Sequence, residues 1–173
     1  LNALLRVSGA VRRISLLAGV GMIAETINLM GMSLYVYALG GGYRDVGFIA
    51  GLIVAAGLVC QLLAPTLQKK LGSRGIILLV YVTNSILLLL LFWQRTLTVA
   101  YMLFPAIGGL FTLTSLTWLS LAQEASHAGQ IGTATGFYRG TLDLTNVIYY
   151  LVFGAVSSRL GVAPLFAVSA LIL

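Results

Sequence analysis

The sequence has few charged residues and almost no cysteine, and both shortages limit what the chain can be. Only 8% of its 173 residues are charged, whereas a soluble domain carries about 25%. The single cysteine, Cys60, excludes an internal disulfide. Instead, 60% of the residues are hydrophobic, and the mean hydropathy is +1.04. The composition therefore predicts an integral membrane protein.

Motifs for several other functions are also missing from the sequence. It contains no phosphate-binding loop, no cysteine cluster and no Ser-His-Asp set. The lone His127 and its neighbour Glu124 do not make a metal site. The net charge of +6 is spread between apolar runs and forms no basic stripe, so we expect no nucleic-acid binding. An intramembrane enzyme would have only the carboxylates of Glu25 and Asp143, and we expect neither an enzyme nor a cofactor.

Apolar runs long enough to cross a bilayer recur along the chain. A spanning helix needs about 20 mostly apolar residues. The pattern predicts five whole spans and the start of a truncated sixth, at 14–39, 45–67, 75–93, 98–122, 131–156 and from 162. The connections are short, and Asp45 is placed to cap the second span. We therefore expect one all-α transmembrane domain over residues 1–173, which is a piece of a longer chain.

Basic residues favour one orientation of these spans. With the N-terminus in the cytoplasm, that side holds Arg6, Arg12, Arg13, Lys69, Lys70 and Arg74, and the far side holds Arg44, Arg95 and Arg159. Lys and Arg are enriched on the cytoplasmic side of membrane proteins. The distribution predicts a multi-pass protein of the plasma (inner) membrane with a cytoplasmic N-terminus.

The sequence matches itself weakly when it is shifted by 89 residues. "VGFIAG" (46–51) aligns with "TGFYRG" (135–140), "KLG" (70–72) aligns with "RLG" (159–161), and Gly40 aligns with Gly129. The shared offset favours two copies of a three-helix unit, at about 14–93 and 98–173, over chance recurrence in an oily sequence. Because three spans is an odd number, the second copy enters the membrane from the opposite side. Such inverted repeats are typical of secondary transporters.

The basic connection after the second span resembles a loop of the major facilitator superfamily. The family's loop has the form Gly-x-x-x-Asp-Arg-x-Gly-Arg-Arg/Lys. In "PTLQKKLGSR", Lys70, Gly72 and Arg74 match its basic and glycine positions. Pro65 replaces the first glycine and Lys69 replaces the acid, so the charge network that the family builds on that acid is not carried over.

The resemblance covers essentially the whole chain and is greatest to the C-terminal half of sugar-efflux members. The similar segments are "LYVYALGGGYRDVGFIAG", "KKLGSR" and "GQIGTATGFYRGTLDL". It implies one six-helix half of a transporter that exports a small sugar-like or drug-like solute, driven by a proton gradient. The implied partners are the lipid bilayer, the solute and the other six-helix half, on the same chain or a second one. The alternative is a non-transporting membrane scaffold or assembly subunit.

Three ionisable residues fall inside the predicted spans, where a charge is costly and functional sites are the usual reason for it. They are Glu25, Arg139 and Asp143. Arg139 and Asp143 are four residues apart and share a helix face, so they either neutralise each other or join Glu25 in a set that takes one proton. A packing pair of Glu25 with Arg139 is the other alternative. The three-residue set requires the first and fifth spans to be neighbours.

Hydroxyl, amide and aromatic side chains in the same spans are the candidate solute contacts. The fourth span, in "FTLTSLTWLS", is the richest in hydroxyl groups. Such groups beside an aromatic face suit a polar ligand, although hydroxyls in membrane helices also bond to carbonyls of their own helix. The predicted cavity residues are Asn28, Thr114, Ser115, Thr117, Trp118, Tyr138 and Asn146.

Overall fold

The computed structural model describes residues 7–127 and 129–173, without the side chains of residues 23–29. This part of the chain is helical and contains no strand, as the all-α prediction required. Its helices are α1 (Gly9–Ala38), α2 (Tyr43–Trp93), α3 (Leu97–Glu124), α4 (Ile131–Leu160) and α5 (Ala163–Ile172). Two of them, α2 and α3, are long and apolar enough to cross a membrane.

The long helix α2 consists of two segments, 43–71 and 73–93, that meet at Gly72. Gly72 has a φ of 67° and a ψ of 165°, a conformation that is open essentially to glycine alone. An unbroken helix of 51 residues would be about 76 Å long. The segments instead fold back on each other, since Ala64 and Ile76, near the break, belong to one buried cluster, and Ile49 and Leu88, far from it, belong to another.

This break takes the place of the basic loop that the sequence predicted between the second and third spans. Pro65, Lys69 and Lys70 lie in the first segment, and Arg74 lies in the second. Only Gly72 leaves the helical conformation. The turn is therefore shorter than expected, since one glycine with a positive φ is enough to reverse the chain.

Aromatic side chains hold one end of the bundle together. Tyr35 of α1, Phe104 of α3 and Phe166 of α5 pack edge to face, with ring centroids 5.1 to 6.1 Å apart. This geometry is favourable because a ring edge meets the negative face of its neighbour. The buried hydroxyl of Tyr35 also donates to the carbonyl oxygen of Leu91 at 2.5 Å. This contact ties α1 to the end of α2.

Helix α1 runs antiparallel to α3 and also packs along α4. Ala18, early in α1, packs with Ala122, late in α3, whereas Tyr35, late in α1, contacts Phe104, early in α3. Against α4, a Cβ placed on Gly19 would lie 3.1 Å from Oγ1 of Thr145. The first and fifth spans are therefore neighbours, as the three-residue set requires.

The glycines with a positive φ fall into two pairs with one spacing. Within the described chain they are Gly40 and Gly129, both at 84°, and Gly72 and Gly161, at 67° and 76°. The members of each pair are 89 residues apart (129 minus 40 and 161 minus 72). Residues that the sequence aligned at this offset thus share one backbone conformation.

Candidate functional site

A polar depression opens on the face of α4 that its neighbours leave uncovered. Arg139, Asp143, Asn146 and Tyr150 follow one another at intervals of four, three and four residues, so they share this face. Helices α1 and α3 supply the rest of the wall. The depression has a volume of about 210 Å³ and is lined by Met22, Phe111, Ser115, Arg139, Leu142, Asp143, Asn146 and Tyr150.

Its two charged groups do not neutralise each other directly. Arg139 and Asp143 are both exposed, and they form no ion pair within 4.0 Å of each other. One of the alternatives for this pair, a closed local ion pair, is therefore not what the structure contains. The other expected residues on α1, Glu25 and Asn28, lie outside the described side chains. The side chains of Arg139 and Asp143 are thus open to a third group in the depression.

A smaller cavity lies behind the depression, inside the bundle. It has a volume of about 20 Å³ and shares Met22, Phe111 and Ser115 with the depression. Its other lining residues are Ala18, Gly21, Tyr81, Asn84, Thr114, Trp118, Tyr138 and Leu173. The inner cavity therefore adjoins the depression, and all three of α1, α3 and the second segment of α2 contribute to its wall.

Hydrogen bonds between helices cross the inner cavity. Nε1 of Trp118 donates to the hydroxyl oxygen of Tyr81 at 3.0 Å, which joins α3 to α2. The hydroxyl of Tyr138 donates to the carbonyl oxygen of Ser115 at 3.4 Å, which joins α4 to α3. Asn84 is only 6% exposed, and its Oδ1 accepts no hydrogen bond from any group that the structure describes. The cavity thus brings a few polar groups together within a mostly apolar lining.

The hydroxyl groups of α3 bond mainly to their own helix. Thr112, Thr114 and Thr117 each donate to the carbonyl four residues earlier, at 2.8 to 3.1 Å. Thr117 is fully buried and lines neither the depression nor the inner cavity. Thr117 thus lies away from both spaces and donates its hydroxyl proton to the helix backbone, and its role as a solute contact stays a prediction.

The remaining predicted cavity residues divide between the two spaces. Ser115 and Asn146 line the depression, whereas Thr114, Trp118 and Tyr138 line only the inner cavity.

Tyr81 and Asn84 are not among the predicted site residues. The available signal was their spacing, since side chains three residues apart share a helix face. No family model, curated protein or solved structure matches the chain.

Proposed function

We propose that this chain is one six-helix half of a secondary membrane transporter, with the depression as one wall of its solute site. The observation that carries the proposal is an uncovered Arg139 and Asp143 in mid-helix, in a chain with only 8% charged residues. Charged side chains at membrane depth are costly and face a protein interior or a water-filled cavity. A second wall, supplied by the other half, would cover the depression.

The backbone pattern supports two inverted three-helix repeats, at about 14–93 and 98–173. The paired glycines with positive φ recur at one offset of 89 residues. Helices α1 and α3, which begin the two repeats, run antiparallel. Inverted repeats with the substrate site at their interface are a common design of secondary transporters. The resemblance to the major facilitator superfamily adds to this support.

Two matching glycine faces support the presence of a partner half. Gly47 and Gly51 of α2 correspond at that same offset to Gly136 and Gly140 of α4. A Cβ placed on any of these four would meet no described atom within 4 Å. Small residues four apart let membrane helices approach closely. We propose that the other half, on the same chain or a second one, packs on these two faces.

The charges of the depression suggest how transport is driven. We propose that Asp143 carries the coupling proton, that Arg139 biases its charge state, and that Glu25 is the third member of the set. The multi-pass topology, the cytoplasmic N-terminus and a small exported solute, sugar-like or drug-like, are part of the same proposal. They rest on the distribution of Lys and Arg and on the resemblance.

Cysteine labelling in the full-length protein tests whether the depression is filled with water. The test uses a Cys60→Ser background and a charged thiol reagent that does not cross membranes. We expect Asn146→Cys to react with this reagent either in right-side-out vesicles or in inside-out vesicles. The matched control is Val147→Cys, whose side chain is 55% exposed on the adjoining face and would lie in lipid. Only a thiolate in water reacts readily, so the control stays unlabelled.

Two outcomes would count against the proposal. Equal labelling of Asn146→Cys and Val147→Cys would mean that this helix face is not distinguished by water. Protection of Asn146→Cys in vesicles of both orientations would favour a scaffold whose depression is packed against protein.

A further inference from the structure

Two hydrogen-bonding groups of α2 point to a ligand in the inner cavity. Oδ1 of Asn84 is buried and accepts no hydrogen bond from the described residues. The hydroxyl oxygen of Tyr81 accepts from Trp118, and its own proton has no acceptor in the part of the chain that the structure describes. Both residues line the same cavity and are three residues apart on one helix face. Oδ1 of Asn84 therefore needs a hydrogen-bond donor, and the hydroxyl proton of Tyr81 needs an acceptor.

The size of the cavity limits which ligand can supply both this donor and this acceptor. A water molecule requires a space of about 10–15 Å³ and two to four polar partners. The cavity, with a volume of about 20 Å³, has room for a small group of this kind. A larger molecule would have to extend past Met22 and Ser115 into the depression.

The chemistry of the two groups narrows the ligand further. An ammonium group would donate to Asn84 but has no lone pair for the Tyr81 proton. A carbonyl group would accept from Tyr81 but would leave Oδ1 of Asn84 unmet. A hydroxyl oxygen does both.

We propose that the inner cavity binds a single hydroxyl group, which donates to Oδ1 of Asn84 and accepts from the hydroxyl of Tyr81. Its source is a water molecule or a hydroxylated solute seated in the depression. If it is water, its second proton goes to Oγ1 of Thr114, whose own proton is committed to the carbonyl of Leu110 at 3.1 Å. The site does not depend on transport, because it follows from hydrogen bonding inside the bundle.

Thermal unfolding of the full-length protein in detergent tests the site energetically. Asn84→Leu keeps a similar side-chain size and removes the acceptor. If a hydroxyl is bound, this variant deprives it of its main acceptor, and the unfolding midpoint falls. If Oδ1 has no partner, the variant removes an uncompensated buried polar atom, and the midpoint rises. Ser85→Ala, which lies outside the cavity, is the control and should leave the midpoint nearly unchanged. A rise of the unfolding midpoint in Asn84→Leu, without a rise in Ser85→Ala, would overturn the proposal.

A density map of the unaltered protein decides the matter even if a variant fails to fold. We expect a peak about 2.7–3.2 Å from both Oδ1 of Asn84 and the hydroxyl oxygen of Tyr81. An isolated peak in buffer without polyols identifies water as the source. Density that appears only with added glycerol, and continues into the depression, identifies a solute hydroxyl. Two results would overturn the proposal: a well-defined cavity that shows no peak in either map, or an Asn84 side chain whose Oδ1 accepts from a protein donor.

Discussion

Gly108→Ala is the substitution that most directly tests how closely α2 and α3 pack. A Cβ at Gly108 would lie 2.5 Å from Cγ2 of Ile53 and 3.3 Å from its Cβ. Ile53 is β-branched, so its χ1 angle has one strongly preferred value in a helix. The side chain therefore cannot turn away cheaply, and the two helices must separate instead.

The expected magnitude follows from two opposing terms. Extra volume in a packed interface costs about 1–3 kcal/mol. Replacing a mid-helix glycine by alanine gains about 0.8–1.0 kcal/mol of helix propensity. The control is Gly154→Ala on α4, where a Cβ would meet no described atom within 4 Å. The control keeps the gain without the clash, so the two variants should differ in unfolding free energy by about 1–3 kcal/mol.

Reversible SDS titration of the protein in mild detergent, followed by far-UV circular dichroism, measures this difference. We expect Gly108→Ala to unfold at lower SDS and Gly154→Ala at equal or higher SDS than the unaltered protein. Gly108→Ala should cost less in an Ile53→Ala background than in the unaltered protein, because the clashing atom is absent there. If both glycine variants shift alike, or if Gly108→Ala costs the same in the two backgrounds, the close approach of α2 and α3 at this point is refuted.

Three further variants probe the two glycine turns and the aromatic end of the bundle by the same titration. Gly72→Ala and Gly161→Ala force alanine into a backbone conformation that favours glycine, so each should lower the free energy of unfolding by about 1–3 kcal/mol. If either variant shifts only as Gly154→Ala does, the backbone at that position is not strained by alanine. Tyr35→Phe removes the hydroxyl bonded to Leu91 and should lose about 1–2 kcal/mol. Tyr43→Phe, at a position 88% exposed, should change little, and equal effects would contradict the role of that bond.

The helices themselves were largely predictable from the sequence, because long apolar runs and the short connections between them indicate where the helices lie. The last helix was expected from about residue 162 and begins at Ala163. The turn at Gly72 was not predictable in detail. Lys69 and Lys70 read as loop residues in the sequence, yet long basic side chains sit equally well on an exposed helix face.

Which side chains face one another was the part that the sequence left open. Gly51 and Gly108 are the same residue type in similar apolar runs, yet only Gly108 lies against a neighbouring helix. The difference depends on how each helix is rotated about its axis, and 3.6-residue periodicity is weak when nearly every residue is apolar. The same ambiguity hid the contact of Tyr81 with Trp118, which are 37 residues apart on two consecutive helices.

The Tyr81–Trp118 hydrogen bond also gives the protein an internal optical reporter. The chain has two tryptophans, and Trp93, at the end of α2, is 81% exposed. In a Trp93→Phe background, emission would come from Trp118 alone. Its indole N–H is held at 3.0 Å by a hydroxyl on the wall of the inner cavity. Because indole emission depends on the polarity around the ring, entry of a molecule into the depression can be followed by fluorescence without an added label.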